Sequence, residues 1–547
     1  MPTVLPPTGD GHRVVTAESV SQVSPAATAT PMPTSQRVAR NSVLYFVSLA
    51  LPALTAVFMV PITVHALGAA RFGLLALAWA VAEGSGMFDF GMGRATVRFV
   101  AGAADSDTDR LSEIIHASLL SQVAMGLIAG TLLFIFAPEL VTSVFKVAVG
   151  IRAEAISMFR VLALHIPVIL AATSLRASLE GAQRFDVSTA LRIPSSVASI
   201  AVPAIAASLG ASLGEILWIL LLVRGILLMV ALYAVSHTLL KRRWGIPYGL
   251  ATFREMIGYS GWVAISTALS PALASFDRFV LGSVVGVTGL GYYTGAGEAA
   301  NRFLLIPATA FSALLPALSA TDARGDRQSA LRVTRFALRQ LAALLLPVCL
   351  LLFAFAPQIL SLWLGPTFAA KSGDALRILS VGVFFGGLAH LPMALLYGSG
   401  RPDLPAKIHL CEVVVYVPLV YLLVREWGIP GAAFAWTLRC TADFLLYEAV
   451  GRHSLGAFSA DASEHARTLW LIAGVAAFVV ILYLAARLSG SSPSITIVLL
   501  VAAALSYAAV NWTHVLSPEE RRAWTSMLLR GRASSPSRGQ PARGNEF

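Results

Sequence analysis

Charge is scarce in this chain: Asp, Glu, Lys and Arg together make up 13% of its 547 residues, against about 25% in a soluble domain. That shortage argues against a water-soluble fold of this size. Cysteine is scarcer still. Cys349, Cys411 and Cys440 all fall in apolar runs, none at zinc-ligand spacing, so neither a metal module nor a disulfide framework is expected; they read as small core residues. Alternating segments of about ten residues, the mark of a membrane β-barrel, are missing. So is a Walker A sequence, so the chain itself is not expected to hydrolyse ATP. GLGYYTG, from Gly289, lacks both the spacing and the preceding strand of a dinucleotide site. Asp105-Ser-Asp107 and Asp107-Thr-Asp109 have the look of a metal-binding DxD, but they sit in a short loop with no nucleotide-binding domain around it and read as a solvated turn. No Ser/His/Asp or Cys/His constellation can be placed, and the expectation is a protein that is not an enzyme and needs no cofactor or metal.

What is abundant is hydrocarbon. The residues are 56% hydrophobic, the mean hydropathy is +0.74, and apolar runs long enough to cross a bilayer recur along most of the length. Inside lipid every backbone polar group must be paired within the protein, so such runs are helices. Spans are expected near 41–66, 72–100, 113–137, 157–179, 188–208 and 212–236, then near 256–284, 289–319, 333–356, 375–397, 406–426 and 429–450, with two more at 467–488 and 494–514. The expected fold is therefore an all-α integral membrane protein of about fourteen transmembrane helices. Residues 1–36 read as a disordered tail, 37–240 and 256–450 as two six-helix bundles, 467–514 as two additional helices, and 515–547 as a basic tail.

The net charge of +11 fits basic residues flanking helices on the cytoplasmic side better than nucleic-acid binding. Arg outnumbers Lys 36 to 4. Arg suits bidentate phosphate binding, yet an Ala-, Arg- and Gly-rich chain can equally reflect base composition. One alternate set of loops holds Arg110, Arg184, Lys241, Arg242, Arg243, Arg324, Arg327, Arg401, Lys407 and Arg452; the other is poorer in basic residues. The first set should be cytoplasmic, and with an even number of spans both termini should be too.

The chain also repeats itself. Gly68 and Gly73 of LGAARFG match Gly286 and Gly291 at an offset of 218, and FAPEL from Phe136 matches FAPQI from Phe355 at 219. Arg160 matches Arg377, and LEGAQRFD from Leu179 matches LYGSGRPD from Leu396, both at 217. Six spans per copy bring both copies in from the same side, giving parallel repeats about an axis along the membrane normal. Two such bundles would enclose a central cavity.

Ionisable residues inside the spans are expensive, about 2.5–3.5 kcal/mol each on insertion scales, and should face a cavity or a partner. Glu83 and Arg94, eleven residues apart, are expected on one helix face with Asp89 on a neighbouring face. Glu298 and Arg302 stand at i,i+4 and can neutralise each other; Asp277–Arg278 can sit at the outer rim. Arg94 and Arg176 have no such escape. Glu412 and Asp443 read as a proton site or as buried hydrogen-bonding groups, and His165 and His390 as structural. Prolines at 52, 61, 203, 271, 307 and 347 favour kinks.

The hairpin LGAARFGLL with MFDFGMGRATVRFVA, the segment DRFVLGSVVGVTGLGYYTGAGEAANRFLLIPATAFSALLPALS, and the later FAPQILSLWLG, ALRILSVG, LLYGSGRPD and WGIPGAAFAWTLR resemble polysaccharide-biosynthesis flippases of the Wzx type. The resemblance covers about residues 38–450. It implies the multidrug/oligosaccharidyl-lipid/polysaccharide exporter superfamily: two six-helix bundles about a cavity, often with two extra helices. It further implies a polyprenyl-diphosphate-linked oligosaccharide as substrate, carried across the bacterial inner membrane. Membrane lipid, a polysaccharide polymerase and glycosyltransferases would be the partners, with no nucleic acid. The candidate substrate-binding cations are then Arg94, Arg176, Arg278 and Arg302, and the candidate ion-coupling acids Glu83, Asp89 and Glu298. The rival readings are a cation-coupled multidrug antiporter, which would favour an acidic, aromatic cavity; a membrane-embedded glycan polymerase or ligase, which would need a large external loop; and a non-transporting cell-envelope scaffold.

Overall fold

The computed structural model describes residues 35–103, 108–240, 250–455, 505–516 and 521. Residues 104–107 of the DxD loop, the Lys241–Arg243 loop, nearly all of the N-terminal tail, and the last two expected spans apart from residues 505–514 lie outside the described residues. Within them the chain is helical and contains no strand.

The first lobe comprises α1 (Ser35–Gly84), α2 (Met92–Ala103), α3 (Thr108–Glu139), α4 (Val149–Gly181), α5 (Phe185–Ser208) and α6 (Leu213–Thr238). The second comprises α7 (Leu250–Val284), α8 (Val287–Asn301), α9 (Leu305–Ala323), α10 (Arg327–Ala354), α11 (Ala356–Leu364), α12 (Pro366–Gly398), α13 (Asp403–Trp427) and α14 (Ile429–Leu455). Nine helical segments among the described residues are long and apolar enough to cross a bilayer. One of them, Val47–Asp89, turns back at Gly68, whose φ of 70° no helix accommodates. With both arms of α1, and with α7 and α14, the described lobes contain the twelve expected arms; the count of fourteen is not reached among the described residues.

The repeat is written in the backbone as well as in the letters. Left-handed residues recur in register: Gly68 with Gly286, Lys146 with Gly365, Gln183 with Gly400, Gly210 with Gly428. A short 3-10 segment interrupts the second arm of each copy, at Ser85–Asp89 and at Arg302–Leu304. Turns are fixed locally. Ser212 and Glu215 form a reciprocal capping box at the start of α6. Asp326 accepts from the Ser329 amide at 3.0 Å before α10, and this bond holds its carboxyl below the usual carboxylate range.

The cores tell where the lobes join. One large apolar cluster runs through both, from Ala56, Phe72, Phe159 and Leu217 to Leu290, Leu364, Leu379 and Trp436. All these residues lie toward the end of the bundle that carries the Gly68, Lys146, Gly210, Gly286, Gly365 and Gly428 turns. Toward the opposite end the core divides. The first lobe has its own cluster about Ile115, Leu175 and Val235, and the second has separate ones about Leu318, Leu345 and Tyr447. The lobes are thus fused at one end and distinct at the other. The first turns of α7 are an exception: Met256 packs in the first lobe's cluster, and Arg110 of α3 reaches Thr252 and Glu255 at 2.7 Å each.

The seam at the fused end is tight. A Cβ at Gly73 would overlap the Val287 carbonyl, and one at Gly291 would overlap the Ala69 carbonyl; each would also meet the other glycine's amide nitrogen. These repeat-mate glycines therefore lie back to back, with α1 and α8 crossing through them as small-residue contacts between membrane helices do.

Candidate functional site: a cationic cavity in the first lobe

Beside this seam opens a cavity of about 450 Å³, walled mainly by α1, α4, α5 and α6 and closed from the second lobe by Glu298 and Arg302. Arg176 and Arg224 enter it from α4 and α6, Glu83 and Trp79 from α1, and Ser195, Ser196 and Ser199 from α5. The walls that carry these groups are otherwise aliphatic, so the charges concentrate on a small polar patch.

Arg224 was not singled out from the sequence, although a lone Arg in the most apolar span, LLLVRGILL, is signal enough. Its Nη2 donates to Ser199 Oγ at 3.0 Å and its Nη1 to His165 Nδ1 at 3.0 Å. An arginine only donates, so Nδ1 accepts, and the other ring nitrogen donates to the Leu217 carbonyl at 3.0 Å. His165 is thereby a neutral positioning group that sets the angle of Arg224, in line with its structural reading. Arg176 donates to Thr173 Oγ1 at 3.0 Å. Among the described residues neither arginine has a carboxylate within ion-pair distance. Two guanidinium groups thus converge on one wall with neither tied up in an ion pair to a described carboxylate, although Glu180 acts on Arg176 through space, an arrangement suited to an anion with several oxygens.

The other predicted residues divide. Arg302 lines the cavity and forms the expected ion pair with Glu298. Glu83 also lines it and reaches Arg278 across the lobes at 3.5 Å. Arg278 is held there rather than on the cavity wall, and Asp277 beside it is buried and bound by the Tyr293 hydroxyl rather than set at the rim. Arg94 does not share a face with Glu83. The 3-10 turn at Ser85–Asp89 and the left-handed Phe90 and Gly91 break the helix between them, so helical phase is not carried across. Arg94 is exposed, its Cζ 5.9 Å from the Tyr397 ring of the second lobe, which places it in the cleft where the lobes part.

Asp89 is buried. It accepts from the Gly93 amide at 3.0 Å and from Gln122, and so caps α2. Replacing Asp89 with Ala is expected to cost about 1 kcal/mol through the lost cap, read as a lower thermal midpoint of the purified protein.

A second buried polar cluster lies within the second lobe. His409 Nδ1 is 3.1 Å from Glu412, the Tyr447 hydroxyl 3.4 Å from His409 Nε2, and Arg439 3.5 Å from Asp443. The Arg439 guanidinium also lies 5.6 Å from the Tyr416 ring. The ligand atoms of His409, Glu412 and Asp443 all fall within 4.8 Å of one another. Arg439 already brings a positive charge to these acids, and the hydrogen bonds favour the reading of Glu412 and Asp443 as buried bonding groups. None of them lines the cavity.

Comparison with known proteins places this geometry. Residues 66–372 match the family described as polysaccharide biosynthesis protein. A candidate O-antigen transporter of Shigella flexneri is 28% identical over 412 residues, covering 75% of this chain and 97% of that protein. Among solved structures, the inward-facing conformation of a multidrug resistance MATE family transporter of the MOP superfamily superposes with a TM-score of 0.65 at 16% identity, covering 75% of this chain and 94% of the other. The outward-facing conformation of such a transporter gives 0.54 at 19% identity, covering 76% and 95%. A MOP superfamily transporter from Pyrococcus furiosus, described as having a binding pocket of reverse polarity, gives 0.56 at 18% identity, again over 76% and 95%. A multi-pass helical membrane protein with this internal repeat, these matches and this fold belongs to the polysaccharide biosynthesis protein family.

Proposed function

We propose that this protein flips polyprenyl-diphosphate-linked oligosaccharide repeat units across the cytoplasmic membrane, supplying O-antigen, capsule or exopolysaccharide assembly. The observation that carries the reading is the pair Arg176 and Arg224, neither in an ion pair with a described carboxylate and both facing one cavity. A diphosphate cannot enter hydrocarbon bare, and fixed guanidinium groups in a sheltered wall replace its hydration. Arg302 and, in the cleft, Arg94 extend the cationic path; Arg278 joins it when Glu83 lets go. A drug-cation antiporter would favour an acid-rich cavity; here Arg176, Arg224 and Arg302 outnumber Glu83 and Glu298.

The divided core supports transport by alternating access. Lobes fused at one end and separate at the other leave the cleft open toward the separated end, and the better superposition on an inward-facing transporter agrees with this. The basic residues Arg110, Arg184, Arg324, Arg401 and Arg452 lie at that same end, which supports a cytoplasmic side there and the reading of both termini as cytoplasmic. A polymerase and glycosyltransferases would act on either side of the step. For ion coupling, Glu83 and Glu298 have the better placement, since both line the cavity; Asp89 is committed to its cap.

The test is a deletion strain. Lipid-linked repeat units should accumulate on the cytoplasmic face, inaccessible to a membrane-impermeant lectin in intact spheroplasts, and the restored gene should reverse this. Normal outer-leaflet delivery without this protein or a second flippase would reject the proposal. In the same assay, Glu83→Gln and Glu298→Gln should flatten the dependence of delivery on the proton or sodium gradient; an unchanged dependence would remove both from coupling.

A further inference from the structure

The internal repeat exposes a site that the central cavity does not account for. On the outer face of the first lobe, α3, α4 and α6 leave a groove of about 640 Å³, lined by Phe134, Pro138, Ser157, Arg160, Leu164 and Trp218 among others. Ala153, Ser157, Arg160 and Leu164 form one exposed stripe along α4, three to four residues apart. No element of the second lobe contributes to this groove, and the segments that form it are apolar enough to lie in a bilayer.

Arg160 is the exception on that surface. Its Cζ lies 5.3 Å from the Phe134 ring, and no described carboxylate is within ion-pair distance. The repeat supplies the control. Arg377 is its mate at an offset of 217 and is neutralised by Asp374 at 2.7 Å, one helical turn earlier. The residue in that position of the first copy is Ser157. Phe134 and Pro138 have their own mates in Phe353 and Pro357 at 219, and Trp218 in Trp436 at 218. The frame is thus kept in both copies, while the acid is present in only one. An arginine on a lipid-facing wall with no internal counterion is costly unless an anion comes to it, and in a bilayer the abundant anion is the phosphate of a lipid headgroup. The aromatic and aliphatic walls suit the acyl chains below it, and the three-carbon stem of the arginine lets its head rise toward the interface.

We propose that this groove is a binding site for one anionic phospholipid, whose phosphate takes at Arg160 the place that Asp374 occupies at Arg377. Arg160 and Ser157 contact the headgroup; Phe134, Leu164 and Trp218 pack against the chains.

Native mass spectrometry of the full-length protein in mild detergent, titrated with phosphatidylglycerol or with phosphatidylcholine, tests this. The wild type should retain one more phosphatidylglycerol than the Arg160→Gln variant, and the affinity for that lipid should fall about tenfold on losing a single charge-assisted contact. Ser157→Asp should have the same effect while keeping Arg160, because it installs the counterion found in the other copy; this variant keeps the test decisive if Arg160→Gln folds poorly. Arg377→Gln should leave that lipid in place. Equal retention of phosphatidylglycerol by the wild type and Ser157→Asp would overturn the proposal. So would equal preference for phosphatidylcholine, or displacement of the lipid by millimolar inorganic phosphate, which would mark a site for the free ion.

Discussion

Arg224→Ala is expected to reduce surface polysaccharide to a tenth of wild type or less, with the protein still at normal abundance in the membrane. The side chain makes two hydrogen bonds, to Ser199, which lines the cavity and can turn to water, and to the buried His165, which keeps its bond to the Leu217 carbonyl. Folding therefore loses at most the one unpaired His165 nitrogen, about 1–3 kcal/mol. Transport loses one of two cations on the wall that are free of ion pairs to described carboxylates, and a hydrogen bond to a charged group contributes about 1.5–3 kcal/mol, which corresponds to a tenfold to hundredfold weaker hold on a diphosphate. Arg176→Ala should act in the same direction, and the double substitution should leave no measurable export. Arg224→Lys keeps the charge but not the two-pronged geometry, so it should recover only part of the activity. Immunoblots of surface polysaccharide and of the tagged protein in the membrane fraction read both quantities. Full export by Arg224→Ala would mean that the cavity wall does not meet the substrate.

Gly73→Leu is expected to act on assembly rather than on transport. The new side chain would have to displace the Val287 carbonyl, a backbone atom in the middle of the seam, and not the flexible tip of a neighbour. Overpacking of this kind costs about 1–3 kcal/mol even where side chains can yield, and here the backbone must move. The protein should show a sharply lower thermal midpoint and a much reduced yield, and Gly291→Leu should match it because it faces the Ala69 carbonyl in the same way. Gly84, where an added Cβ meets nothing, is the control: Gly84→Ala should express normally. Equal thermal midpoints for Gly73→Leu and Gly84→Ala would show that the seam has more slack than its geometry allows.

The architecture was legible because its signals are local and repeated. Glycine turns at fixed offsets, apolar runs of spanning length and parity of span number need no tertiary information. The cavity was legible only in part. Arg176, Arg302, Glu83 and Glu298 could be named because charge in a span is conspicuous. Arg224 gained its meaning from His165 and Ser199 on two other helices, and no periodicity joins residues 59 and 25 positions apart. Glu83 and Arg94 misled for the opposite reason: their spacing is helical, but the Gly84-Ser85-Gly86 stretch lets the chain change phase before Arg94 is reached. Asp89 looked like a free acid and is a cap, because the Gly93 amide it binds appears only once that break is made.

The back-to-back contact of Gly73 and Gly291 also speaks to origin. Equivalent positions of two copies touch each other, as equivalent residues do on the axis of a two-fold dimer, where one patch serves both subunits. A half-length ancestor bearing one such hairpin would have offered a self-complementary face and could have paired with its own twin. Fusion would then have preserved an existing homodimer interface, leaving each copy free to diverge everywhere except at the point where it meets itself.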